Sequence, residues 1–243
     1  MRSLNIYLAV ILIAFGTACR KEATHPYVSP GSFLSSEKYD RLIVEIQYVN
    51  GYEPSQVSVT ELTDFLRERL NKLGGIAIVK TSVPSPGISS YAVENIIKIE
   101  KESRTQNTSG STLTAYIFFA DAGYAGNNGN SQVLGMAYGN TSIVIFERTI
   151  RDFSGAGINK PSTKALETTV MDHEFGHILG LVNNGSAMQT DHQDKPNGLH
   201  CSNKNCLMYY NVETTDVITN ILGGNVPGLD VNCINDLKSN GGK

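Results

Sequence analysis

The chain has no tryptophan, and only 18% of its 243 residues are charged. No basic run or stripe accompanies the net charge of −3, so the electrostatic footprint of a nucleic-acid binder is missing. No apolar run reaches the roughly 20 residues that a bilayer-spanning helix needs. Internal repeats are absent too, which excludes a solenoid. What remains is ordinary globular material. Hydrophobic residues make up 40% of the chain, enough for a real core, and the length fits one large domain or a modest pair.

The N-terminus reads as an export signal rather than as part of the fold. Arg2 precedes an apolar run from Leu4 to Phe15, and Gly16-Thr17-Ala18 leads into Cys19. Small residues directly before a cysteine resemble a bacterial lipobox, with Gly16 where leucine is more usual. The resemblance implies a signal peptide over 1–18, a lipidated Cys19 and a flexible tether over 19–39. The mature protein would then be anchored by lipid to a bacterial membrane, on its periplasmic or cell-surface side. A single domain would occupy 40–243.

Periodicity places a first strand at Leu42 to Val49 and an amphipathic helix from about Val57 to Leu73, stopped by Gly74-Gly75. A short strand follows at Ile76 to Val79, then a helix from Ser89 or Ser90 to about Ser103, and a buried strand from Leu113 to Ala120. A glycine- and asparagine-rich loop separates that strand from two more, Val133 to Tyr138 and Ser142 to Phe146. One of these two short strands is a candidate edge for pairing with an extended peptide. A helix starting near Ser162 or Thr163 comes next, with further helices at Thr215 to Leu222 and Gly228 to Leu237. This order predicts an α/β (α+β) fold with a mixed sheet and a loop-rich C-terminal part.

The helix from Ser162 carries His173-Glu174-Phe175-Gly176-His177-Ile178-Leu179-Gly180. Two histidines four residues apart share one helix face, so both imidazoles can reach one metal ion. Glu174 lies between them and can deprotonate a water at that metal. Gly180 allows a left-handed residue that stops the helix and turns the chain back. Catalytic zinc usually takes three protein ligands and a water. The residues available for the third place are Asn183, Asp191, His192, Asp194 and His200, and an amide is a poor partner beside imidazole.

The stretch resembles the metzincin metalloproteases, whose helix continues H-E-x-x-H-x-x-G-x-x-H and whose site floor is a Met-turn. It is most similar to archaemetzincin over roughly Lys164 to Tyr210, through His200-Cys201, four residues, Cys206, one residue, and Met208. The resemblance implies a twisted mixed sheet with an active-site helix and a Zn2+ ion held by His173, His177 and His200. It further implies Met208 as the Met-turn residue and hydrolysis of a protein or peptide substrate with Glu174 as general base. Tyr210, two residues past Met208, is the candidate donor to the oxyanion. The chain departs from the pattern where Asn183 replaces the third histidine and His200 arrives after an insertion, which leaves His192 as a rival ligand. The family's C-terminal cysteine cluster is reduced to Cys233. A noncatalytic surface lipoprotein that binds a glycan or protein is the alternative function.

Cys201, Cys206 and Cys233 remain in the mature chain. Export permits a disulfide, and the three thiols allow one bridge with one free thiol, or ligation of a second metal. The segment from Asn183 to Leu199 reads as a polar loop whose Asp191 and Asp194 could alternatively hold calcium.

Overall fold

The computed structural model describes residues 27–128, 131–156, 160–221 and 225–243. The signal segment and Cys19 lie outside the described residues. Along the chain run α1 (Pro30–Leu34), β1 (Arg41–Val49), α2 (Gln56–Arg69), β2 (Gly75–Val83), β3 (Ser90–Tyr91) and α3 (Val93–Ser103). There follow β4 (Thr112–Phe119), β5 (Gly123–Tyr124), β6 (Gly135–Ala137), β7 (Ser142–Ile145), α4 (Glu147–Phe153) and α5 (Thr163–Ile178). Short 3-10 turns lead into α6 (Ile218–Ile221), and α7 (Val231–Ser239) ends the chain. No helix among the described residues is long and apolar enough to cross a membrane.

Five strands form one sheet in the order β2-β1-β4-β7-β6. The first four are parallel, and β6 joins β7 antiparallel as an edge strand. A parallel sheet needs cover on both faces. Central β4 shows why: from Leu113 to Phe119 every residue is buried. Leu113, Ala115, Ile117 and Phe119 join Leu42, Val44 and Ile46 of β1 in a core that takes in Leu62 and Leu66 of α2 and Leu166, Val170 and Phe175 of α5. On the opposite face Tyr116 and Phe118 pack with Tyr91 of β3 and Ile96 of α3. The mixed α/β architecture with a loop-rich C-terminal part agrees with the sequence reading.

Several boundaries move, each for a physical reason. α2 stops at Arg69, short of Leu73, because Leu70 is extended. Lys72 then turns inward and its Nζ donates to the carbonyls of Ser32, Ser35 and Tyr39 at 2.7, 2.6 and 2.7 Å. Burial pulls its pKa down to about 8 against the opposing charge of Asp40. Those carbonyls belong to the segment expected to be a tether. From Val28 onward that expectation is corrected: Val28, Phe33, Leu34 and Tyr39 are buried in the main core, which a mobile linker would not achieve. β2 runs to Val83 because it pairs with the whole of β1. α4 went unforeseen, since seven residues are too few for a helical period to show. The hydrogen bond that Arg151 Nε donates to Glu147 at 2.5 Å and the bonds of Arg151 to the carbonyls of Gly51 and Glu53 hold it.

Candidate metal centre

α5 is buried along its whole length from Ala165 to Ile178. Ser162 caps it, accepting from the Ala165 N–H at 3.3 Å. At the other end Gly180 adopts φ +79°, and a Cβ there would meet the Ser186 nitrogen at 2.6 Å and Pro30 at 2.7 Å. Val182 and Asn183 continue in left-handed backbone at φ 52° and 64°, an uncommon conformation for a β-branched residue and an easier one for asparagine. Asn183 therefore ends in the loop, its side chain donating at 3.4 Å to Gln193.

The insertion folds as a small returning loop. The Asp194 N–H donates to the His200 carbonyl at 2.7 Å, and Ser202 N–H to the His192 carbonyl at 2.9 Å. Asp191 pairs with Lys195 at 2.8 Å, and Asp194 accepts from Asn197 at 2.8 Å. Neither aspartate belongs to a group of possible metal ligands among the described residues.

This path brings His200 against α5. The His173 and His177 Nε2 atoms are 3.1 Å apart. The His200 ring lies 5.4 Å from His173, nearly parallel, and 5.0 Å from His177, nearly perpendicular. Outer contacts fix the rings: Nδ1 of His173 is 2.7 Å from the Leu207 carbonyl and Nδ1 of His200 is 2.6 Å from that of Asn197. With those nitrogens donating, each Nε2 is left as an inward lone pair, the tautomer a metal ligand requires. Burial drives His177 down to about 4, against the pull of Glu213, so it stays neutral at ordinary pH.

A fourth group in the cluster was missed by the sequence reading. Glu213, at the end of the 3-10 turn Tyr210–Glu213, brings Oε1 to 3.1 Å from His177 Nε2, 3.0 Å from His200 Nε2 and 3.7 Å from His173 Nε2. Burial raises its pKa, but its close contacts with the three imidazoles outweigh that and hold the carboxylate well below its usual range. Its spacing from Met208 matches no motif, so only the folded turn could reveal it. Tyr210, at the start of the same turn, packs its ring on Tyr209 with centroids 4.6 Å apart.

Glu174 is fully buried, and among the described residues its carboxylate oxygens make no close hydrogen bond, the Ala137 backbone N–H pulling on them only weakly. Its pKa stands well above the ordinary value, first through burial and then through the nearby charge of Glu213. Below the site Met208 is buried against Gly176, where a Cβ would come within 2.2 Å of the sulfur. A cleft of about 290 Å³ opens beside His177, walled by Ala137 and Tyr138 at the sheet edge and by Val28 and Pro30.

No family model and no curated protein matches the sequence. Among solved structures, the archaemetzincin of Methanopyrus kandleri superposes with a TM-score of 0.55 at 14% identity, over 83% of this chain and 96% of that one. This chain has a metzincin-like fold. A zinc-dependent peptidase from Methanocorpusculum labreanum gives a TM-score of 0.47 at 13% identity, covering 80% and 99% of the two chains. Metalloproteinase-II from Bacteroides fragilis gives 0.46 at 14%, covering 85% of this chain and 54% of its own.

Beside the helix of this metzincin-like fold lies a second cluster. Cys201, Cys206 and Cys233 are free and buried, which corrects the expected disulfide. The Cys206 and Cys233 sulfurs are 3.6 Å apart, beyond a bond of about 2.05 Å. Hydrogen bonds from Cys201 and Cys233 draw the Cys206 thiol down to about 4. His192 faces this group: its Nδ1 is 3.4 Å from Cys201 Sγ, while Nε2 is 2.8 Å from Asp236. Donor atoms of His192, Cys201, Asp230 and Cys233 lie within 4.8 Å of one another. The two histidines open to the third-ligand question thus part company, His200 to the α5 cluster and His192 to the thiols.

Proposed function

We propose that this chain is a zinc-dependent peptidase whose metal is held by His173, His177 and His200, with Glu174 as general base. The observation that carries the reading is a fully buried Glu174 on the same helix as two of three imidazoles whose Nε2 atoms face one point. The donor set fits catalytic zinc, since three imidazole ligands leave a position for water. When bound, zinc supplies a Lewis acid that acidifies water and polarises a carbonyl. Glu174 takes the proton from the attacking water and returns it to the leaving amine, a task suited to a carboxylate of raised pKa. Tyr210 is the candidate oxyanion donor, from a resting place against Tyr209. The free edge of β6 offers main-chain hydrogen bonds to an extended peptide.

The second cluster suits a structural zinc. The imidazole of His192, the thiols of Cys201 and Cys233 and the Asp230 carboxylate make a closed donor set, and Asp236 orients His192 as carboxylates commonly orient zinc-bound histidines. The proposed setting is extracytoplasmic, with the chain lipidated at Cys19. The rival reading, a noncatalytic surface protein, has one observation of its own: Glu213 stands where a reacting water would sit. Peptide hydrolysis by metal-loaded protein separates the two. Loss of turnover in Glu174→Gln at unchanged zinc content supports the peptidase, and unchanged turnover in that variant contradicts it.

A further inference from the structure

We infer that Glu213 is a displaceable fourth ligand that closes the three-histidine metal site at rest and must swing out before water can occupy the place beside Glu174. The inference rests on the three-histidine reading of the site and adds a latch to it. One oxygen, Oε1, lies within 3.0 to 3.7 Å of all three Nε2 atoms, so a metal shared by the imidazoles would meet this carboxylate as well. The histidine side chains are at most 10% exposed, whereas that of Glu213 is 34% exposed. The carboxylate therefore approaches the cluster from its solvent side, the side by which water and substrate must come.

The backbone shows which part is free to move. The Leu134 N–H donates to the Glu213 carbonyl at 2.8 Å, and the Thr215 N–H donates to the Gln132 carbonyl at 2.9 Å. The Thr215 hydroxyl in turn accepts from the Gln132 N–H at 3.1 Å. The turn is thus stitched to the strand leading into β6, and opening is a rotation of one side chain. With zinc bound, the exchange would be one ligand for another, the Glu213 carboxylate giving up its coordinate bond to a water oxygen with no change of oxidation state. Because the stitched strand continues into the edge that would receive a peptide, substrate docking and Glu213 share one piece of backbone.

Cobalt(II) on the full chain tests this, using the visible bands that are lost in His177→Ala as the signature of the three-histidine site. With Glu213 on the metal, azide leaves those bands unmoved in the native sequence and shifts them in Glu213→Gln and in the shorter Glu213→Asp. Glu213→Gln is also expected to bind cobalt there at least about tenfold more weakly. Azide that shifts the native bands as strongly as those of the variants overturns the latch and leaves the three-histidine site standing. Cobalt binding and bands that survive His177→Ala unchanged overturn the site itself, and the latch with it.

Discussion

Gly176 and Met208 touch so closely that any side chain on the glycine would strike the methionine sulfur, a Cβ falling 2.2 Å from Sδ. The glycine between the two motif histidines is thus a packing requirement, which lets the turn carrying Met208 rise against α5. That turn places the Leu207 carbonyl 2.7 Å from His173 Nδ1, so floor and metal cluster are one unit.

Gly176→Ala is therefore expected to lower stability by about 1–3 kcal/mol, the usual range for overpacking. It should also weaken zinc binding by moving the His173 ring. Met208→Leu keeps the volume and should cost less than about 1.5 kcal/mol. Denaturant unfolding of both variants, alongside competition for zinc by a chromophoric chelator, checks the pair. Equal stability for Gly176→Ala and the native chain would remove the argument.

The thiol cluster makes a stoichiometric claim. Protein purified with zinc should carry two equivalents, and Cys233→Ser should keep one. Asp236→Asn, which leaves every ligand in place but removes the carboxylate 2.8 Å from His192, should weaken that second site by roughly 10–100-fold. Elemental analysis after dialysis against graded chelator reads both. Metal-free protein beginning after Cys19 should yield three reactive thiols in denaturant, since Cys201, Cys206 and Cys233 are unbridged.

Lys72 ties the segment before β1 to the domain through three carbonyls. Lys72→Met leaves those acceptors buried without donors, at a cost of about 1–3 kcal/mol for such a loss. Limited proteolysis should then cut between Val28 and Tyr39 faster than in the native chain. Indifference to the substitution would return that segment to the status of a loose tether.

Stability should fall as pH rises through the neutral range, because of Glu147. Burial, then the neighbouring charge of Glu167, raises its pKa from 4.5 to about 9, despite Arg151. The folded chain thus holds a proton that the unfolded chain releases near pH 4.5. The stability this group allows is fully present below pH 4.5 and is lost progressively toward pH 9. Glu147→Gln should flatten that slope in thermal unfolding measured from pH 5 to pH 9. A native slope unchanged in the variant would assign the effect elsewhere.

Sequence and structure agree best where a single period or motif carries the information. β1 and β4 read plainly because alternation and an unbroken apolar run are local signals, and His173 and His177 share a helix face by arithmetic alone. The rest depends on chain paths that no local pattern encodes. His192 and His200 are both loop histidines, and only the return of Asp194 to the His200 carbonyl separates their destinations. Glu213 reaches the histidines through a 3-10 turn with no sequence signature. The cysteines could be counted but not placed: their distances show thiols gathered around a histidine, where the count alone left open a bridge or a second metal.

The central claim is a metal ion at the convergence of His173, His177 and His200. Anomalous diffraction at the zinc edge, from crystals of zinc-loaded protein beginning after Cys19, tests it most directly. The expected map has one peak bonded to those three Nε2 atoms and another among His192, Cys201, Asp230 and Cys233. Zinc found only at the thiols, with the three histidines free of it, would contradict the account.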